Sequence, residues 1–238
     1  MLPAISSDWA LFLDFDGTLA EIVDDPEAVS VAPDTLAGLP AVERRLGGAL
    51  AVVSGRPIAT IDRVLHPVVL PAAGLHGLER RDAAGRVHEA AASQAIDTLR
   101  ERISGKARGL GLHVEDKGVS LVLHFRRDPA LEPDAEALMS EGLEGLSGVH
   151  LVRGKMVIEA KPDTADKGVA VETFLQETPF RGRVPVFVGD DVTDEDGFRA
   201  AERLGGFGIK IGAGETLARH RAADVSEIGQ WLAEAATS

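Results

Sequence analysis

The sequence lacks cysteine and tyrosine altogether among its 238 residues. Without cysteine the chain can form no disulfide, no zinc–thiolate site and no cysteine nucleophile. No stretch approaches the roughly 18–20 apolar residues that a membrane-spanning helix needs. The opening MLPAISSDWALFLDFDG has neither the basic segment nor the long apolar run of a secretory signal. These absences predict a cytoplasmic protein without membrane contact.

Basic residues are also few, with 25 lysines and arginines against 38 acidic residues and a formal net charge of −13. This charge disfavours a nucleic-acid or anionic-membrane partner. Any phosphorylated substrate must meet a local basic site, because the average field of the protein repels it. The length permits one large domain or two smaller ones, and no obligate protein partner is evident.

Strand and helix patterns alternate at both ends of the chain. Short apolar runs such as LFL, LAVV and VFV each stop at polar or acidic residues, and helical patterns lie between them. Alternation at this spacing predicts an α/β fold with a Rossmann-like parallel sheet covered by helices. A helix is also predicted at GETLARHRAA, after the strand FGIKIG.

The middle of the chain has a different pattern. We predict a hairpin at 80–90, helices at 93–110 and 133–146, a strand at 118–127, and two strands within 149–162 about a turn at Arg153-Gly154. This mixture is typical of an α+β domain. The sequence therefore predicts a core made of residues 1–81 and 161–238, with an inserted cap domain at 82–160.

Asp14 and Asp16 directly follow the apolar run of the first strand. Ligands of parallel α/β sheets bind at the carboxyl ends of the strands, and two carboxylates there repel each other unless a hard cation such as magnesium neutralises them. The alternative is structural, with Asp14 ending a turn and Asp16 making an Asx-type loop bond.

Ser54 and Lys167 each have two interpretations. Ser54 follows the second apolar run and could bind a phosphate oxygen together with the Gly55 backbone N–H, or it could cap the next helix. Lys167 lies near a helix start, where a cation opposes the helix dipole. It is either a solvated surface lysine or a functional one.

A second group of acidic residues lies in VFVGDDVTDED, residues 186–196. Thr193 is predicted to cap the following helix, and Asp194, Glu195 and Asp196 suit the dipole of its first turn. That explanation does not cover Asp190 and Asp191, which follow a strand and a glycine. Metal binding is the better account of this pair.

Taken in order, these four features resemble the motif set of the haloacid dehalogenase superfamily. The resemblance implies that Asp14 is a nucleophile that becomes phosphorylated and that Asp16 is the general acid and then base. It implies that Ser54 and Lys167 hold phosphoryl oxygens. Magnesium would be bound by the carboxylates of Asp14 and Asp190 and the main-chain carbonyl of Asp16, with Asp191 and Asp194 as supporting acids.

Nearly the whole chain, from Leu11 to about Ile211, resembles a narrower family, the trehalose-6-phosphate phosphatases. The matching stretches are GLHGLE (74–79), KGVSLVLHFR (117–126), GKMVIEAKP (154–162) and GDDVTDEDGF (189–198). The resemblance implies magnesium-dependent hydrolysis of trehalose 6-phosphate, with the insert closing over the sugar. The substrate contacts it implies are Arg56, His76, Glu79, Lys117, Arg126, Lys155 and Glu159.

The residue chemistry of these matching stretches fits a phosphorylated sugar. Lysine and arginine supply positive charge, and Glu79 and Glu159 can accept hydrogen bonds from hydroxyls. Lys155 and Glu159 share one face of a predicted strand, whereas Lys117 is predicted in the turn before its strand. These charges could instead be solvated on a sheet face.

Phe125 stands where the family often has tyrosine, so any role of a tyrosine hydroxyl is missing here. The synthase domain to which this activity is fused in some relatives is also missing, which predicts a stand-alone phosphatase.

Two other functions remain open on the sequence. One is hydrolysis of a different sugar phosphate, such as sucrose phosphate or mannosylglycerate phosphate, by the same core. The other is a catalytically silent sugar-phosphate sensor. A sensor would usually lack the nucleophile or a metal ligand, whereas Asp14, Asp16, Lys167 and Asp190 are all present.

Overall fold

A computed structural model of the chain describes residues 2–23, 25–89, 93–154, 156–163 and 166–237. The chain divides into two compact units, residues 1–89 with 166–238 and residues 90–165. None of the helices in the described ranges is long and apolar enough to cross a bilayer.

The described residues form both strands and α-helices. The strands are β1 (Trp9–Leu13), β2 (Leu50–Val53), β3 (Ala72–Gly74), β4 (Glu79–Arg81), β5 (Val87–Glu89), β6 (His113–Asp116), β7 (Leu121–His124), β8 (Val149–Gly154), β9 (Val157–Pro162), β10 (Val184–Gly189), β11 (Phe207–Ile211) and β12 (His220–Ala222). The α-helices are α1 (Pro33–Arg45), α2 (Ile58–Leu65), α3 (Gln94–Gly109), α4 (Glu132–Leu143), α5 (Lys167–Phe174), α6 (Asp194–Arg203) and α7 (Val225–Thr237).

The first unit is built on one sheet with the strand order β12-β11-β10-β1-β2-β3-β4-β5. The strands from β12 to β3 run parallel, and β4 and β5 are antiparallel to their neighbours. Every residue of β1 and β2 is buried, as expected for parallel strands covered on both faces. Phe12 packs against Phe174 and Phe180 in this core. The predicted α/β class with a mostly parallel sheet is confirmed.

The register of the central strands determines which side chains meet at the carboxyl edge. Leu13, the last residue of β1, is opposite Val188 of β10 and Val52 of β2. The residues that follow these three strands therefore emerge side by side. This arrangement brings the neighbourhoods of Asp14, Ser54 and Asp190 together, although they are far apart in the sequence.

The second unit contains an antiparallel sheet with the order β6-β7-β9-β8. Helices α3 and α4 supply the apolar side chains that pack on one face of this sheet, among them Leu99, Ile103 and Met139. The cluster also contains Leu123 of β7 and Ile158 of β9. The unit thus has a hydrophobic core of its own.

Two local predictions were wrong, and one strand was not predicted. The stretch GETLARHRAA forms no helix: Gly212 and Gly214 have positive φ, and His220–Ala222 joins the sheet as β12. The turn between β8 and β9 does not lie at Arg153-Gly154, because both residues pair with β9. Strand β6 was missed, since HVED is a half-exposed edge strand without apolar alternation.

The predicted hairpin at 80–90 is present as β4 and β5, but it belongs to the first unit. Its strand β4 pairs with β3, so it extends the large sheet instead of opening the insert. The compact second unit spans 90–165, whereas the sequence predicted an insert at 82–160.

Candidate active site

Lys167 lies at the centre of the site, in the first turn of α5. The Asp166 side chain caps this helix by accepting a hydrogen bond from Val169 N at 3.2 Å. Lys167 is 3% exposed, and its Nζ donates to Asp14 Oδ1 at 2.7 Å and to Asp194 Oδ1 at 2.6 Å. Burial by itself would lower the pKa of Lys167, but the two carboxylates raise it above its ordinary value. The lysine is therefore a buried cation shared by two acids.

Asp14, Asp190 and Asp194 form a cluster in which one oxygen of each lies within 4.8 Å of the others. Burial, and then the charge of Asp194, raise the pKa of Asp14 well above its ordinary value. Burial, followed by Asp194 and Asp191, raises the pKa of Asp190 to about 6. Lys167 opposes the shift in both cases. The cluster thus carries more negative charge than its lysine offsets.

The three carboxylates fit a divalent cation. Asp190 Oδ1 is buried without a hydrogen-bond partner among the described residues, a state that costs free energy unless another group binds the oxygen. Hard oxygen donors are the ligands that magnesium prefers. A cation would also relieve the repulsion that raises the pKa of Asp190.

Two glycines permit this close approach. Gly17 has φ +75°, and a Cβ placed there would lie 2.2 Å from Asp190 Cγ. A Cβ on Gly189 would lie 2.2 Å from Asp194 Cγ. Both positions must lack a side chain for the acids to occupy their places.

Asp16 is not one of the three carboxylates of the acidic cluster, and its side chain binds Arg56. Arg56 Nε donates to Asp16 Oδ2 at 2.6 Å and Nη2 donates to Oδ1 at 2.7 Å. This bond to Asp16 raises the pKa of Arg56. The guanidinium also lies over the ring of Phe15, 5.8 Å from its centroid. Both oxygens of the predicted acid/base residue are thus engaged.

Ser54, His76 and Glu79 lie around the turn after β2. Ser54 is buried, and its Oγ accepts a hydrogen bond from Arg56 N at 3.1 Å. His76, at φ 57°, donates its backbone N–H to Ser54 O at 2.9 Å. Glu79 Oε2 accepts from Ile58 N at 2.9 Å and so caps the start of α2. One carboxylate oxygen of Glu79 therefore has a structural role at the start of α2.

The second unit holds a smaller polar group of its own. Glu159 Oε1 accepts a hydrogen bond from Ser120 Oγ at 2.7 Å and lies 3.5 Å from Lys117 Nζ. Lys117 lies in the turn between β6 and β7. Arg126 is exposed just beyond the end of β7 at His124, so alternation along a strand does not fix its direction. Lys155 lies outside the described residues.

Helix electrostatics alone would explain Asp194 in the sequence, and only the superfamily resemblance gave it a supporting role in the site. In the structure it is completely buried, binds Lys167 and accepts a hydrogen bond from Asp191 N at 2.9 Å. Thr193 makes no capping hydrogen bond through its side chain, contrary to prediction. No pattern in the sequence singled out Lys210, a buried lysine within the otherwise apolar strand β11.

The sequence matches the trehalose-phosphatase family model over residues 12–228. It is 44% identical over 216 residues to a probable trehalose-phosphate phosphatase of Sinorhizobium fredii, covering 89% of this chain and 82% of the relative. It is 41% identical over 232 residues to the trehalose-6-phosphate phosphatase of Escherichia coli, covering 97% and 87%.

Solved structures share the fold. One neighbour, described as a trehalose-6-phosphate phosphatase related protein, has a TM-score of 0.75 at 26% identity, covering 95% of this chain and 96% of its own. A haloacid dehalogenase-like hydrolase from B. subtilis has a TM-score of 0.70 at 13% identity, covering 94% and 97%. At that identity the likeness concerns the fold, and it agrees with the core predicted from the sequence.

Proposed function

The chain belongs to the trehalose-phosphatase family, and on that premise we propose that it hydrolyses trehalose 6-phosphate to trehalose and phosphate in trehalose biosynthesis. The observation that carries the proposal is the buried Lys167, bound to Asp14 and Asp194 with Asp190 beside them. This arrangement concentrates compensating charges where a phosphoryl group can react.

Magnesium is part of the proposal. The carboxylates of Asp14 and Asp190 and the main-chain carbonyl of Asp16 would hold it, with Asp194 as a supporting acid. When bound, it supplies positive charge that offsets the repulsion between a carboxylate nucleophile and a phosphate dianion.

The first step is attack by an Asp14 carboxylate oxygen on phosphorus. The bond between phosphorus and the sugar oxygen breaks, its electron pair stays on the sugar oxygen, and Asp16 donates a proton to that oxygen. Lys167 and Ser54 stabilise the charge on the phosphoryl oxygens. Trehalose leaves, and Asp14 carries the phosphoryl group.

The second step is attack by water on the aspartyl phosphate. Asp16, now ionised, accepts a proton from the water, and the Asp14 carboxylate is released with phosphate as the product. Asp16 binds Arg56 with both oxygens in this structure. At least one oxygen must therefore exchange Arg56 for the substrate or the water during turnover.

Sugar recognition is proposed for the residues that the family resemblance indicates. His76 and Glu79 lie close to Ser54 in the first unit, and Arg56 links Ser54 to Asp16. In the second unit Glu159 is held by Ser120 and lies near Lys117, a combination that can accept and donate hydrogen bonds to hydroxyl groups. Arg126 and Lys155 complete the proposed set. A cytoplasmic location stays part of the proposal.

The test is phosphate release from a panel of sugar phosphates with and without magnesium. The panel contains trehalose 6-phosphate, sucrose 6-phosphate, glucose 6-phosphate and mannosylphosphoglycerate. We expect a magnesium-dependent rate on trehalose 6-phosphate far above the others. Similar rates on several compounds would be consistent with the proposed phosphatase mechanism but would contradict trehalose 6-phosphate as the specific substrate. Tight binding of trehalose 6-phosphate without release would instead favour a sensor.

A further inference from the structure

Lys210 is a buried cation in a strand that is otherwise apolar. All five residues of β11, FGIKI, are buried, and Lys210 is only 6% exposed. A buried ammonium group is costly unless it has a partner. The mechanism proposed above gives this lysine no role, so its position requires another explanation.

The partner of Lys210 is the main chain of the acidic loop. In the parallel register of β10 and β11, Lys210 is opposite Gly189, the last residue of β10. Its Nζ donates a hydrogen bond to the main-chain carbonyl oxygen of Asp190. The lysine therefore holds the main chain at Asp190, whose carboxylate belongs to the acidic cluster.

At one of its oxygens, the buried Oδ1, the Asp190 side chain has no hydrogen bond from the described residues that would direct it. In contrast, Asp14 and Asp194 are both oriented by Lys167. The direction of the Asp190 carboxylate therefore depends on its backbone, and Lys210 holds that backbone.

We propose that Lys210 is a positioning residue that holds the Asp190 main chain so that its carboxylate is preorganised for the divalent cation. This inference rests on the magnesium site of the proposed function. Groups that orient metal ligands without touching the metal commonly change metal affinity by about 10–100-fold when they are removed.

Whether magnesium binds more weakly or more tightly after Lys210 is replaced distinguishes a positioning role from a simple effect of its charge. Removing a positive charge near a cation site should by itself strengthen cation binding. Loss of positioning should weaken it. The Lys210→Met variant removes the charge and the donor while keeping an unbranched apolar chain, so the two effects predict opposite results.

The experiment measures magnesium binding by the full chain without substrate. Thermal unfolding is followed after removal of metal with a chelator and then across a magnesium titration, for wild type, Lys210→Met, Lys210→Arg and Lys106→Met. Lys106 is the control because it is exposed on α3 and pairs with Glu141. We expect the magnesium midpoint to rise about tenfold or more in Lys210→Met, to change by less than about threefold in Lys210→Arg, and to stay constant in Lys106→Met.

A Lys210→Met midpoint equal to or below that of wild type would overturn the inference. If this variant does not unfold cooperatively, Lys210→Gln replaces it. A raised midpoint in Lys210→Gln with a near-normal one in Lys210→Arg supports positioning, and normal midpoints in both overturn it. A wild-type protein that magnesium does not stabilise would contradict the metal assignment itself, and the inference with it.

Discussion

Arg56 and Asp16 form a two-bond ion pair, with distances of 2.6 Å from Nε to Oδ2 and 2.7 Å from Nη2 to Oδ1. The family resemblance had assigned these two residues to separate roles, Arg56 to substrate binding and Asp16 to proton transfer. Because Arg56 binds both oxygens of Asp16, it determines where this proposed acid/base group points before the substrate binds.

Replacing Arg56 with lysine tests this orientation. Lysine keeps the charge but cannot form two parallel bonds to a carboxylate, so we expect kcat/KM for trehalose 6-phosphate to fall about tenfold or more. The control is Arg63→Lys, since Arg63 lies on the neighbouring helix α2 in an exposed pair with Glu27. Equal steady-state constants for Arg56→Lys and wild type would exclude a role for the two-bond geometry.

The Asp14→Asn variant separates catalysis from folding. An amide cannot act as the nucleophile, so turnover should fall by at least about 1,000-fold. Because burial raises the pKa of Asp14, a neutral side chain of the same shape should leave the melting temperature of the metal-free protein unchanged or higher. Phosphate release and thermal unfolding are measured on the same samples. Wild-type rates in this variant would rule out the aspartyl-phosphate mechanism.

The stability of the metal-free protein should depend on pH through Asp190. Its pKa is raised from 3.8 to about 6 in the folded state, so folding favours the protonated form. The stabilisation is complete below pH 3.8 and is lost as the pH rises through about 6. We expect the melting temperature to fall over this range in the presence of a chelator. Asp14, whose pKa is also raised, acts in the same direction.

Magnesium and an amide replacement provide the checks on this pH dependence. Carboxyls with a lowered pKa, such as Glu115 beside His124, keep their full stabilising effect above their ordinary value of 4.5, so they make stability depend on pH only below that value. The slope between pH 4.5 and 6.5 should therefore decrease in Asp190→Asn. Magnesium should bind more tightly as the pH rises, because it competes with the proton. An unchanged slope in Asp190→Asn would show that other groups control it.

The Gly17→Ala variant tests how close the loop after β1 lies to the Asp190 side chain. An added Cβ would lie 2.2 Å from Asp190 Cγ, so the carboxylate must move, and we expect kcat/KM to fall about 100-fold or more. The matched control is Gly85→Ala. Gly85 has φ +81° with nothing within 4 Å of its added Cβ, so it reports backbone strain alone, about 1–2 kcal/mol. Full activity in Gly17→Ala would contradict the placement of Asp190.

Ser120 offers a test of recognition in the second unit. Its hydroxyl donates to Glu159 Oε1 at 2.7 Å, and its loss in Ser120→Ala removes a hydrogen bond with a net value of about 1 kcal/mol. We expect KM for trehalose 6-phosphate to rise about fivefold with kcat nearly unchanged. The control is Ser104→Ala, because the Ser104 hydroxyl donates a hydrogen bond to the Arg100 carbonyl oxygen at 2.7 Å in the same unit. A fall in kcat with constant KM would place Glu159 in another role.

The sequence by itself determined the order in which the candidate site residues follow one another along the chain. Apolar runs that end just before Asp14, Ser54 and Asp190 indicate the ends of buried strands. Both the apolar run and the polar residue after it can be recognised from neighbouring positions in the sequence. The α/β class follows from the same alternation. Local patterns failed where an edge strand was half exposed, as in β6, and where positive-φ glycines at 212 and 214 excluded a helix.

Only the tertiary structure decided which charges neutralise one another. Lys167 reaches Asp14 across 153 positions of sequence and Asp194 across 27, Arg56 reaches Asp16 across 40, and Lys210 reaches the Asp190 carbonyl across 20. No periodicity encodes such pairs, because they depend on strand order and register. A lysine that looks like surface in the sequence thus becomes a buried partner once β1 and β10 lie side by side.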